Sequence, residues 1–202
     1  MVPTLPLETF NLSALPITIK EHLQPLHEVD RFRVAQACAA REAFVQFCCR
    51  SQITQTVTDV KSMIEQLEKW RTFIRSLLQS KNLITSSRPI LFQWKDCALD
   101  GRFDVYTNPC TVFELAMSAV CSAILKTKYA FLILTRGAAT PRDAAVFTVG
   151  AITDIQEAKT ELKRWTNVVR RAQMPCCLLP GGLESIQTFC EAWRCIAFAA
   201  AA

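Results

Sequence analysis

The residues best equipped for chemistry are few and badly spaced for it. Ten cysteines stand at positions 38, 48, 49, 97, 110, 121, 176, 177, 190 and 195, and the two histidines are His22 and His27. Thiolates and imidazoles held close together would bind a soft metal or pair as nucleophile and base. No C-x-x-C occurs, and the histidines lie five apart, off the i, i+4 spacing that sets two ligands on one helix face. Cys48-Cys49 and Cys176-Cys177 are adjacent, so on a helix their side chains diverge. The motifs G-x-x-x-x-G-K-[ST], G-x-G-x-x-G and H-E-x-x-H are absent, and the one glycine pair, Gly181-Gly182, sits at a helix boundary. The expectation is a non-enzyme with no catalytic residue, no cofactor and no metal.

Electrostatics offers more. The net charge is +5, and the stretch from Lys126 to Arg171 holds nine Lys/Arg against four Asp/Glu, so it carries the whole excess. Within it Lys159, Lys163, Arg164, Arg170 and Arg171 fall together opposite an apolar stripe. Such a cluster suits an anionic membrane surface or an acidic partner; on an ordinary solvated helix face it would have no further role. Basic and aromatic residues are not interleaved on one face, which argues against nucleic acid.

The elements that must carry these groups are mostly helical. Of the 202 residues 50% are hydrophobic and 20% charged, with only 5 glycines, which excludes global disorder and turn-dense all-β chains. No run reaches the roughly 18 uncharged apolar residues of a membrane span; the longest, Leu115 to Leu125, is bounded by Glu114 and Lys126. The start of the chain lacks a cationic region ahead of an apolar one, so a secretory leader is not expected, and the cysteines read as reduced thiols in a cytoplasmic protein.

Residues 1–27 contain Pro3, Pro6, Pro16 and Pro25 and read as an extended arm, with Leu5 to Phe10 and Leu15 to Ile19 as edge-strand candidates. Residues 28–83 read as two helices. The first has an apolar line Phe32, Ala35, Ala39, Ala43, Phe47, with Arg31, Arg33, Arg41 and Glu42 expected to point away from it. The second has Val57, Val60, Ile64, Leu67, Trp70 or Arg71, Ile74, Leu77 and Leu78. Residues 90–96 read as a strand, closed by a turn at Asp100-Gly101.

Residues 108–202 read as helical hairpins. One helix starts at Asn108-Pro109 or at the capping box Thr111-x-x-Glu114 and ends before Gly137; its stripe is Phe113, Ala116, Met117, Val120 and Ile124, then Leu125 or Tyr129. The next opens at Pro141 and is clearest at Ile155, Ala158, Leu162, Trp165, Val169 and Ala172. The last shows Leu183, Ile186, Cys190, Trp193, Ala197 and Ala200 up to Ala202 without a cap. Trp70, Tyr129, Trp165 and Trp193 lie on these stripes and are expected in the core. An incomplete array would expose Trp193, Ile196 and Ala197 for self-association.

Two motifs stand out against this background. Phe92, Trp94 and Asp96 give a strand of pattern F-x-W-x-D, and Phe113, Glu114 and Ala116 open a helix of pattern F-E-x-A, with Cys121 where an Asn is usual and Ala123 at the later Ala. The pair, with the order arm, two helices, strand, helical hairpins, resembles the Bro-type (BRO-one) domain family found in Alix and rhophilin. The resemblance spans nearly the whole chain and about the N-terminal half of that domain. It implies a mainly α fold, a tetratricopeptide-like helical-hairpin solenoid with a small β element near the N-terminus, incomplete at the C-terminus.

The same resemblance implies a protein-interaction scaffold, cytoplasmic and peripheral on endosomes, that binds the amphipathic C-terminal helix of an ESCRT-III subunit in multivesicular-body sorting. The family's binding groove lies largely downstream of Ala202, so no binding residue transfers to this chain. The matched motif residues are expected to be structural, with Trp94 packing the strand on the helices and Asp96 acting as a cap or turn acceptor. The alternatives are a generic helical adaptor, favoured if the segment around Trp94 is helix, and a basic membrane-surface protein.

Overall fold

The computed structural model describes residues 12–14, 28–49, 56–79, 90–97, 103–137, 139–165 and 174–202. In chain order these form β1 (Leu12–Ala14), α1 (Glu28–Cys49), α2 (Val57–Gln79), β2 (Phe92–Cys97), β3 (Phe103–Asn108), α3 (Thr111–Arg136), α4 (Pro141–Trp165), a 3-10 turn (Cys176–Leu178) and α5 (Pro180–Ala201). The protein is thus mainly helical with a small antiparallel sheet. Each helix packs chiefly on its neighbour in sequence, and α3 also touches α5.

The sheet has three strands in the order β1-β2-β3. Trp94 is central, opposite Ala14 on one side and Tyr106 on the other. The two-residue period of a strand turns Ile90, Phe92 and Trp94 inward while Leu91 stays half exposed. β2 therefore agrees with the sequence, displaced by two residues at its start and one at its end. β3 was not expected, although Asp100-Gly101 is a hairpin signal. β1 falls between the two expected edge strands, which lie outside the described residues, as do residues 98–102.

α2 and α4 each begin at a reciprocal threonine–aspartate cap. The Thr56 hydroxyl accepts from the Asp59 N–H (3.1 Å), and the Asp59 carboxylate accepts from the Thr56 N–H (2.9 Å). Thr140 and Asp143 repeat this at Pro141, the expected opening of α4. α3 starts instead with Cys110 as a cap that makes no side-chain bond. Neither Thr111-x-x-Glu114 nor an Asn108 cap operates: the Asn108 side chain accepts from the Cys110 N–H (2.9 Å), and Glu114 is drawn into the core. Gly137 ends α3 in the left-handed conformation, φ 65°, its N–H bonded to the Ile133 carbonyl.

α3 is the central helix, with every residue from Phe113 to Leu125 buried. It is long and apolar enough by composition to cross a membrane, yet 78% of its most apolar stretch is covered by the rest of the fold. The expected stripe of α2 is buried from Val60 to Leu77, with both Trp70 and Arg71, while Val57 is half-buried and Leu78 is 43% exposed. On α5, Leu183, Ile186, Cys190, Trp193 and Ala197 are buried as expected and Ala200 is exposed. Trp193 and Ala197 are fully enclosed, so they cannot form the self-association face expected of them; the Trp193 ring meets Phe131 of α3 edge-on at 5.2 Å. Trp70 and Tyr129 are likewise core residues, while the Trp165 side chain lies outside the described residues.

Pro180-Gly181-Gly182 forms the first turn of α5. A Cβ on Gly182 would stand 2.0 Å from the Cys176 carbonyl oxygen, so the 3-10 turn and α5 can meet only at a glycine. The eight cysteines whose side chains are described are all free thiols. Cys176 is exposed and Cys177 buried, the divergence expected of neighbours.

α1 departs most from its pattern. Its inward face is Val34, Ala37, Cys38, Arg41, Phe44 and Val45; of the expected line Phe32, Ala35 and Ala39 face out, Phe32 being 66% exposed, while Ala43 is half-buried and Phe47 packs against the core. The helix is rotated by about half a turn because Arg41, expected in solvent, is drawn in by a counter-charge on α3.

Candidate functional site

That counter-charge is Glu114, which is fully buried. Its Oε1 accepts from Arg41 Nε (3.2 Å) and Trp70 Nε1 (2.6 Å), and its Oε2 accepts from Trp94 Nε1 (2.5 Å). The guanidinium carbon lies 5.4 Å from the Trp70 ring centre and 6.0 Å from that of Trp94, within cation–π range. One carboxylate thus gathers α1, α2, β2 and α3. The motif residues Phe92, Trp94, Phe113, Glu114 and Ala116 are all buried at this junction. Asp96 is paired with Asp104 and Leu12 inside the sheet, so it does not sit at a turn, and its side chain lies outside the described residues.

A second charge cluster lies between α2, α3 and α4. Arg71, fully buried, reaches Glu68 (2.6 Å), Asp154 (2.9 Å) and Glu157. Lys126 bridges Glu68 (3.0 Å) and Asp154 (2.7 Å), and Arg75 holds Glu157 (2.7 Å). The Ser122 hydroxyl lies within 3.0 Å of Glu68 and 2.8 Å of Asp154. Three carboxylates thus meet three cations, and formal charge cancels. Burial alone would raise the Glu68 and Glu157 carboxyls, but the adjoining cations and their hydrogen bonds outweigh it and hold both below the ordinary range. These acids face cations, and among the described residues no three His, Cys, Asp or Glu side chains converge as metal ligands.

Three residues of the basic cluster are described. Lys159 is half-buried and donates to the Gln187 side chain of α5. Arg164 is exposed and pairs with Glu161 at 2.9 Å, and Lys163 is exposed beside it. Arg170 and Arg171 lie outside the described residues. Lys126 belongs to the buried network, but so do Asp154 and Glu157 of the same stretch, so the network absorbs none of the regional excess.

Sequence reading missed the partners in both clusters: Arg41 and Trp70 in the first, Glu68, Arg71, Lys126, Asp154 and Glu157 in the second. A signal existed for the second, because Ser122 and Lys126 interrupt the most apolar helix at i, i+4 spacing.

Outside the clusters, α1 and α2 leave a groove of about 1010 Å³. Its floor holds Ala37, Ala40, Ile64 and Phe73; Arg33 and Gln36 form one wall and Glu65, Lys69, Thr72 and Ser76 the other. Compared with protein-family models, curated proteins and solved structures, the chain matches none of them.

Proposed function

We propose that the protein is a non-enzymatic interaction scaffold of Bro-type character, acting at endosomes by binding the amphipathic C-terminal helix of an ESCRT-III subunit. The observation that carries this reading is the use to which the charged and aromatic groups are put. Glu114, Arg41 and both indole N–H groups are consumed in joining elements, and the Arg71 network is consumed in the same way. What faces outward instead is helix surface with apolar content: Phe32, Ala35 and Ala39 on α1, Phe198 on α5. Surfaces of this kind recognise other helices.

The strand at Trp94 favours the Bro-type reading over a generic adaptor, for which a helix there was the expectation. The tetratricopeptide-like solenoid belongs to the same proposal, supported by helices that pack serially along the chain. Against the membrane-surface alternative stands Lys159, which is half-buried and donates to the Gln187 side chain. The test is a titration of the full chain with a peptide of the ESCRT-III C-terminal helix, with a thermal melt on the same sample. Saturable binding supports the reading. No binding by a cooperatively folded sample refutes the trafficking role.

A further inference from the structure

The groove between α1 and α2 has the dimensions, lining and charge of a helix-docking site. The stretch from Ile64 to Ser76 along its α2 wall rises about 18 Å at 1.5 Å per residue, room for three turns of a second helix. On the α1 side Ala37 and Ala40 take up little volume, so space is left for large side chains from a partner rather than filled by the protein's own. The rim continues into the exposed face of α1, where Ala39 and Phe32 present apolar surface.

Charge narrows the occupant. Among the described residues Arg33 on one wall and Lys69 on the other make no ion pair. Glu68, which also borders the groove, is already matched by Arg71 and Lys126. Glu65 offsets one positive charge, so the walls keep a net +1, with one unpaired cation on each side of an apolar floor. We propose that this groove docks an amphipathic helix of a partner protein, with Leu- or Met-sized anchors at i, i+3, i+7 and i+10 and carboxylates on both flanks. This rests on the scaffold reading and adds a place and a charge preference to it; the groove lies within this chain, apart from the downstream groove implied by the family resemblance.

The test uses the full chain and two synthetic helical peptides with the same leucine anchors, one flanked by Glu and one by Lys, followed by fluorescence anisotropy. The wild type should bind the Glu-flanked peptide at least tenfold more tightly than the Lys-flanked one. Arg33→Glu/Lys69→Glu, at two exposed positions that leave both buried clusters intact, should reverse that order. Equal binding of both peptides by both proteins would overturn the charge assignment. Binding of the ESCRT-III peptide undiminished by the double reversal would overturn the groove as its site while leaving the scaffold reading in place. If a folded wild type binds none of the three peptides, both fall. Self-association that the double reversal abolishes would overturn the foreign partner in favour of a second copy.

Discussion

Replacing Glu114 with Gln tests whether the carboxylate is the joint of the fold. Glutamine keeps the shape but offers one acceptor oxygen where two now serve three donors, and its amide N–H₂ is set against one indole N–H. A buried donor left without its partner costs about 1–3 kcal/mol. Removing the counter-charge of a buried ion pair costs about 3–5 kcal/mol. The two losses share atoms and do not add, so the expected destabilisation is about 3–5 kcal/mol. That is a large share of the roughly 5–15 kcal/mol available to a domain.

Urea unfolding followed by far-UV circular dichroism measures it, since the fold is mainly helical. The midpoint should fall with the slope unchanged. Arg41→Met/Glu114→Gln, which removes both charges, should cost distinctly less than the sum of the single changes, because no cation then lacks its counter-charge. A loss under about 1 kcal/mol for Glu114→Gln, small beside the cost of breaking a buried pair, would refute the assignment. So would strict additivity in the double substitution.

Glu68 and Glu157 titrate below their unfolded value of about 4.3 in the folded protein, so the stability they confer is complete above that value and is lost as pH falls through their folded values. Melting temperature should therefore be level from neutral pH to about pH 5 and drop below about pH 4.5; a curve still flat at pH 3 would contradict the network. Gly182→Ala should lower stability by about 1–3 kcal/mol or more through overpacking against Cys176, and an unchanged melt would mean that the turn and α5 meet less closely. Burial pushes the Cys190 thiol up to about 11 and raises Cys121 as well, whereas Cys176 and Cys195 are exposed. Alkylation at pH 8 read by peptide mass spectrometry should label Cys176 and Cys195 first and reach Cys121 and Cys190 only on unfolding; equal labelling of all four would refute the burial pattern.

Much of the fold was legible because apolar spacing is strong where one face alone is buried. α2, α5 and β2 show this, each keeping most of the inward residues its period assigns, with Leu78 and Ala200 near the helix ends as exceptions. α1 misled because it is apolar on two sides, and the choice between them depends on Glu114, 73 residues after Arg41, which no local pattern contains. α3 is buried nearly all round, so the marked stripe was correct but incomplete. β3 was hidden by its composition: Asp104, Val105 and Thr107 are exposed, and among its described side chains Tyr106 and the polar Asn108 are half-buried, leaving little apolar alternation to detect. The motif pair located Trp94 and Glu114 separately; that an indole N–H from one meets the carboxylate of the other became visible only in three dimensions.

The reach of Glu114 also decides which elements stand or fall together. α4 and α5 pack chiefly on the helix before them, while Arg71 and Arg75 also tie α4 back to α2. The carboxylate is fully paired only when α1, α2 and β2 are all in place, so it couples the stability of those elements to one another. Damage should travel accordingly: a fault at positions 41, 70, 94 or 114 is felt at once in α1, α2, β2 and α3, the elements that the one carboxylate joins.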